Sequence, residues 1–190
     1  MNTLDFYFDY ACPWCYVGSH AVRELAQEGV TVRYHVWKMP PNVTAPPKPE
    51  GYYDAAKARL KELRQEMGIL VRSPVQSVTV PALIATKVAD EMGAVEPFVK
   101  AVFHAHWAEK QDISDQEVLV QLAASVGLHA AEFRTALENG AGEAAFHADL
   151  QKAGEEELST IPCYLGSKGR LLVHHFANMP TLDALRSLVR

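Results

Sequence analysis

Leu4-Asp5-Phe6-Tyr7-Phe8-Asp9-Tyr10-Ala11-Cys12-Pro13-Trp14-Cys15-Tyr16-Val17-Gly18 carries most of what the chain reveals about its fold. Leu4, Phe6 and Phe8 alternate with Asp5, Tyr7 and Asp9, the period of a strand, and the aromatic side chains suit a pleated surface. The strand runs straight into two cysteines three residues apart. Pro13 then fits the first position of a helix, where its missing N–H costs nothing. Val17, Val22 and Leu25 give that helix an apolar stripe as far as about Gln27, and Gly29 fits the stop.

Outward from this stretch, Val30-Thr31-Val32-Arg33-Tyr34-His35-Val36 alternates again and predicts a second strand, joined to the first by a right-handed parallel crossover. Pro40, Pro41, Pro46, Pro47 and Pro49 then exclude a helix or a central strand and mark a linker or an active-site loop. From about Gly51 to Glu157 the pattern is helical almost throughout, with stops expected at Gly68, Gly93, Gly127 and Gly140. Residues 69–81, interrupted by Pro74 and Pro81, read as loop. Ser114-Asp115-Gln116-Glu117 reads as a capping box ahead of Val118, Leu119, Leu122 and Ala123. Near the end, Cys163–Leu165 and Leu171–His174 predict a hairpin around Gly166-Ser167-Lys168-Gly169. Thr181 caps a closing helix with Leu182, Leu185, Leu188 and Val189 toward one face. The order is βαβ, helical block, ββα, with no internal repeat.

Placed at a strand's end and a helix's start, Cys12 and Cys15 suit dithiol chemistry. Cys12 lies among the free N–H groups of the helix, whose partial positive charge favours thiolate, so it is the candidate nucleophile. Cys15, one turn on, is the candidate resolving thiol. Two cysteines so spaced also suit plain burial or half of a zinc site. Zinc needs four ligands, and Cys163 and eight scattered histidines form no second paired motif, so no metal is expected. Asp9 either relays a proton to Cys15 or serves as a helix cap at the strand's end, and its charge would raise a neighbouring thiol's pKa. His20, about 12 Å along the axis from Cys12, is too far for proton transfer. His104 and His106 point to different helix faces, and His174 and His175, read as adjacent strand residues, to opposite sides. Glu155-Glu156-Glu157 reads as a solvated charge run.

These residues resemble the thioredoxin superfamily and, within it, DsbA-like thiol-disulfide oxidoreductases of the FrnE type, whose opening motif places an aspartate before Cys-Pro-Trp-Cys-Tyr. Trp107 to Leu128, with Asp112-Ile113-Ser114-Asp115 and Leu122-Ala123-Ala124-Ser125-Val126-Gly127-Leu128, is similar to that family's helical insertion. Thr160-Ile161-Pro162 stands where the family carries its cis-proline. The resemblance implies an α/β thioredoxin fold with a mixed four-stranded sheet and a large all-helical insertion, divided as 1–45 with 154–190 for the thioredoxin unit and 46–153 for the insertion. It implies catalytic Cys12 and Cys15, support from Asp9, Pro13, Trp14 and Pro162, and substrate contact at Thr160 and Ile161. Cys163, where relatives carry Thr or an aromatic residue, stands as a candidate accessory thiol, set against the commoner state of a buried, inert cysteine. Trp14 in place of the histidine of periplasmic DsbA proteins offers no second titrating charge, which implies a weaker oxidant. No organic cofactor is implied beyond the redox-active disulfide, with glutathione a candidate co-substrate.

The remaining expectations come from composition. At 190 residues, 48% of them hydrophobic, one well-cored unit is the default. A formal charge of −5 with no run of Lys and Arg argues against a nucleic-acid partner. The N-terminus shows no signal core, and no stretch approaches the roughly 20 apolar residues of a membrane span, so a cytoplasmic location without a membrane partner is expected. Partners are thiols or disulfides, on proteins or small molecules; nothing in the pattern sets an oligomeric state. Two other classes compete: a glutathione-dependent isomerase or transferase similar to 2-hydroxychromene-2-carboxylate isomerase and kappa-class glutathione transferase, which usually place Ser where Cys12 stands, and a non-catalytic binding module or holdase using the apolar groove beside Trp14 and the insertion.

Overall fold

A computed structural model describes residues 2–40 and 47–190. β1 (Thr3–Phe8) lies inside the sheet, which is why both of its alternating sets are buried. β2 (Thr31–Val36) runs parallel to it, Phe8 opposite Val36, and β3 (Cys163–Gly166) antiparallel on its other side, Tyr7 opposite Cys163. β4 (Gly169–Leu172) completes a mixed sheet of order β2-β1-β3-β4. The hairpin is tighter than the sequence predicts. Its turn is Ser167-Lys168, Gly166 already pairs with Gly169, and the strand ends at Leu172, so His174 and His175 are not strand residues. The reason lies in α8 (Leu182–Val189), whose Leu188 backbone fills the space a side chain at position 166 would need. Gly166 is therefore spent on close packing within the strand.

Leu4, Phe6 and Phe8 face the main core with Val22 and Leu25 of α1 (Pro13–Gln27), Leu83 and Val88 of α3 (Val80–Glu91), Phe98, Val102 and Phe103 of α4 (Val95–Trp107), and Leu185 of α8. Burial of each such side chain stabilises the fold by roughly 1.5–3 kcal/mol, so the helical block and the sheet stand or fall together. Two hydrogen bonds tie them next to the cysteines: Trp107 Nε1 donates to the Tyr10 carbonyl at 2.8 Å, and the Tyr10 and Thr86 hydroxyls lie 2.6 Å apart. On the other sheet face Tyr7 packs with Trp37, Cys163 and Leu158, and with Ala153 of α7 (Glu143–Glu155). α2 (Tyr52–Met67), α5 (Gln116–Ser125) and α6 (Ala130–Glu138) complete eight α-helices among the described residues. Of the expected division, the 45/46 edge lies outside the described residues, as do Pro41 and Pro46 of the proline run, and the 153/154 edge falls inside α7.

Two local expectations are corrected. α3 starts at Val80 with Pro81 in its first turn, where proline starts a helix rather than interrupting one. The cap of α5 is Asp115, whose carboxylate accepts the Glu117 N–H at 2.8 Å. Ser114 is occupied instead with Asp112 Oδ1, to which its hydroxyl donates at 2.6 Å.

A chain of charges crosses the edge of the sheet under α7. His35 of β2 points Nε2 at Asp5 Oδ1, 2.5 Å away, and Nδ1 at Asp149 Oδ1, 2.7 Å away, so both ring nitrogens face carboxylates. Arg33 donates twice to Asp5, at 2.8 and 2.6 Å, and Lys87 Nζ lies 3.0 Å from Asp149 Oδ2. Burial alone would lower the pKa of His35, but the hydrogen bonds to Asp149 and Asp5 outweigh it and raise the value.

Candidate active site

Asp9 shapes the turn between β1 and α1. Its Oδ1 accepts the Ala11 N–H at 2.9 Å and its carbonyl accepts the Cys12 N–H at 3.1 Å, so Asp9 closes the turn ahead of the helix, while the cap of α1 itself is Cys12. The other carboxylate oxygen meets Lys38 Nζ at 3.1 Å, and Lys38 also donates to Thr79 Oγ1 at 3.0 Å. Cys12 is the N-cap of α1, with extended backbone and its sulfur accepting the Cys15 N–H at 3.4 Å. Pro13 follows in the first turn. Cys12 is half-buried and Cys15 wholly buried, both as free thiols.

The two sulfurs are driven apart in acidity. A hydrogen bond from the Cys15 thiol holds Cys12 below the ordinary thiol range; burial opposes this, the N–H groups of Cys15 and Trp14 assist, and the Asp9 charge opposes. Cys15 moves the other way, pushed well above the ordinary range first by burial and then by donating its proton to Cys12. A half-buried sulfur with a lowered pKa thus sits beside a buried one whose pKa is raised.

Cys12 opens into a cleft of about 380 Å³. Ile161 and Thr160 form one side; the Ile161–Pro162 peptide is cis, and the Ile161 carbonyl lies 4.0 Å from Cys12 Sγ. The Thr160 hydroxyl donates to the Val173 carbonyl at 2.9 Å, which ties the segment before β3 to the chain leaving β4. Trp14 forms another side, stacked on Phe176 at 5.2 Å, while Phe176 stacks on His175 at 4.3 Å. Tyr52 of α2 packs against both His175 and Phe176, and the Lys48 ammonium lies 4.9 Å above the Tyr52 ring. Sequence reading missed Tyr52, Lys48, His175 and Phe176. His175 instead caps a single 3₁₀ turn, Phe176–Asn178, by accepting the Ala177 N–H at 3.1 Å.

Cys163 does not face this cleft. It packs with Tyr7 and Trp37 on the opposite sheet face, whereas its neighbour Tyr164 turns toward the core that holds Cys15. Burial pushes the Cys163 thiol up to about 12. His20 is half-buried, with its pKa lowered mainly by burial to about 4. His106 is buried with its pKa lowered mainly by burial, and His104 is exposed. No group of three His, Cys, Asp or Glu side chains suited to a metal occurs among the described residues.

Comparison with known proteins places this geometry. The profile of the DSBA-like thioredoxin domain matches residues 3–184. The chain belongs to the DSBA-like thioredoxin domain family. Among individual relatives, the DSBA-like chain is 27% identical over 172 residues to the protein YwbO of Bacillus subtilis (strain 168), covering 85% of each. Among solved structures it is similar to the cytosolic disulfide reductase DsbM from Pseudomonas aeruginosa, with 21% identity, a TM-score of 0.67, and 97% of this chain and 95% of that one covered. DsbM has also been solved with GSH. It is similar as well to 2-hydroxychromene-2-carboxylate isomerase, with 21% identity, a TM-score of 0.77, and 90% and 89% covered. At such identities these two likenesses establish the fold that the DSBA-like domain shares with both, a mixed four-stranded sheet with helices packed around it. Among the described residues no helix is long and apolar enough to cross a membrane.

Proposed function

We propose that the chain is a thiol-disulfide oxidoreductase of the FrnE type in which Cys12 attacks and Cys15 resolves. The observation that carries this reading is the geometry of the pair: Cys12 caps α1 at the cleft with its sulfur accepting the Cys15 N–H, and Cys15 lies buried three residues on, an arrangement that lowers the pKa of the first and raises that of the second. The Cys12 thiolate attacks one sulfur of a substrate disulfide, a Cys12–substrate disulfide forms, and the other substrate sulfur leaves as thiolate. Cys15, as its proton departs, attacks Cys12, which releases the second substrate thiol and leaves a Cys12–Cys15 disulfide. An external dithiol or two monothiols return the pair to the reduced state, and run in reverse the same steps oxidise a dithiol. Glutathione is the proposed small thiol, supported by the GSH complex of the similar DsbM. The Ile161 backbone beside Cys12 offers hydrogen bonds to an extended substrate, and Asp9, Pro13, Trp14, Thr160 and Pro162 hold the site in shape. Cys163 is left out of the exchange. A cytoplasmic setting belongs to the same proposal.

The test is insulin reduction with glutathione or dithiothreitol, joined to mass spectrometry of trapped adducts. Cys12→Ser should abolish exchange, and Cys15→Ser should accumulate dithiothreitol-releasable adducts on Cys12, with or without Cys163→Ser. Adducts that persist in Cys12→Ser, or full turnover without Cys15 and Cys163, would refute the dithiol mechanism and leave the isomerase reading ahead. Client binding indifferent to Cys12→Ser, without reductase activity, would leave the holdase.

A further inference from the structure

A second groove, of about 580 Å³, opens beside the cleft and shares Lys57 and Leu60 with it. Four cations line it: Lys57, Lys61 and Arg64 of α2, and Arg72 of the segment that precedes α3. In sequence they are spread over sixteen positions (57 to 72) and form no run, but positions 57, 61 and 64 fall on one ridge of a helix. The Arg72 N–H donates to the Trp107 carbonyl at 2.7 Å, which holds its segment against the end of α4 and so within the groove. All four side chains are exposed, and none has a carboxylate partner among the described residues. The one acid in the lining is Asp54. Arg59, by contrast, is tied up by Glu62 and Glu66. A chain of net charge −5 thus concentrates free positive charge beside its reactive sulfur.

The spacing suggests what the ridge holds. Lys57 and Lys61 are separated by about 6 Å along the helix axis, while side chains on one side of an extended peptide recur every 6.6 Å or so. A phosphate would favour cations that converge on one point, whereas Lys57, Lys61 and Arg64 follow one another along a single helix ridge, with Arg72 on a separate segment. Between them Leu60, Val71 and the buried Trp107 supply an apolar floor for intervening side chains. We infer that this ridge docks the acidic flank of a protein substrate, an extended segment with Asp or Glu at alternate positions whose cysteine reaches Cys12. The inference rests on the thiol-exchange reading above and names the substrate class of that site.

Peptides bearing one cysteine, activated as its mixed disulfide with 2-thiopyridine, test it in a Cys15→Ser background. The Cys12 thiolate attacks the peptide sulfur, the bond to the pyridine sulfur breaks, and pyridine-2-thione is released as the Cys12–peptide disulfide forms. One series places Glu at alternate positions, at successive offsets on either side of the cysteine, and a matched series places Lys there. Release should be faster for the best Glu peptide than for its Lys counterpart by about tenfold or more at low ionic strength, and the gap should shrink in salt. Lys61→Glu combined with Arg64→Glu should reverse the order. Equal rates, or a Glu preference that survives the charge reversal, would overturn the docking inference. So would a thiopyridine-activated coenzyme A that loses rate on charge reversal while the peptides do not, since that outcome assigns the ridge to a phosphate-bearing small thiol. Neutral dipyridyl disulfide, which gives the ridge no charge to hold, reads Cys12 by itself. If it is also inert, the exchange reading has failed, and the inference falls with it.

Discussion

Cys12 owes its acidity first to a neighbour on the next turn. The hydrogen bond from the Cys15 thiol is the largest influence lowering Cys12, ahead of the N–H groups of Cys15 and Trp14. Removing that donor has a definite sign. In Cys15→Ala the midpoint of the pH profile for alkylation of Cys12 by iodoacetamide should climb toward the ordinary thiol value, and Cys15→Ser, which keeps a donor, should fall between. A midpoint unchanged in Cys15→Ala would transfer the effect to the helix N–H groups. The placement of Cys12 at the helix start and of Cys15 three residues on was legible in sequence because the motif is contiguous and lies along one turn. The direction of Cys163 was not, since strand parity decides it, and parity follows from the pairing of Tyr7 with Cys163. Tyr52 and the adjacent His175 and Phe176 escaped for a related reason: they come to the cleft from two segments far from the cysteines in sequence, and no local pattern announces a wall built from separate pieces.

At the scale of elements, α1 is held close to β3 by the lack of a side chain at one position. A Cβ on Gly18 would run into the Tyr164 hydroxyl, which is fully buried and has no hydrogen-bond partner among the described residues. Gly18→Ala should cost about 1–3 kcal/mol in urea unfolding through overpacking. Tyr164→Phe removes the colliding oxygen together with an unsatisfied buried group, so it should be nearly neutral alone and should recover much of the loss in combination. If the double variant is no better than Gly18→Ala, helix and strand do not meet through this contact. The identity and order of the elements were readable from periodicity, because strand and helix place apolar residues at different intervals. Their ends were less so. Ser114 lost the cap of α5 to Asp115 because Asp112 competes for its hydroxyl, and Gly166 looked like a turn residue because nothing in the sequence shows that Leu188 will lie against it.

For the molecule as a whole, the His35 cluster gives folding stability a dependence on pH from both sides. His35 is raised, so its contribution is full below its ordinary 6.5 and is lost as pH climbs through the higher folded value. Asp5 and Asp149 are lowered, because hydrogen bonds, those from His35 foremost, outweigh burial; their contribution is full above 3.8 and fades as pH falls through the lower folded values. Stability measured by urea unfolding should therefore peak between these limits and decline toward alkaline pH. His35→Gln should cost about 3 kcal/mol at the peak, as expected when one member of a buried ion pair is removed, and should flatten the alkaline decline. An alkaline slope that persists in His35→Gln would assign the effect to another group. The sheet that carries this cluster also separates the sulfurs, with Cys163 on one face and the Cys12–Cys15 pair on the other. The proposed exchange thus makes the folded chain a single electrochemical cell: equilibrated against a thiol buffer it should trace one two-electron Nernst curve, about 30 mV for each tenfold change in the ratio of reduced to oxidised protein, with no third cysteine to short-circuit the couple.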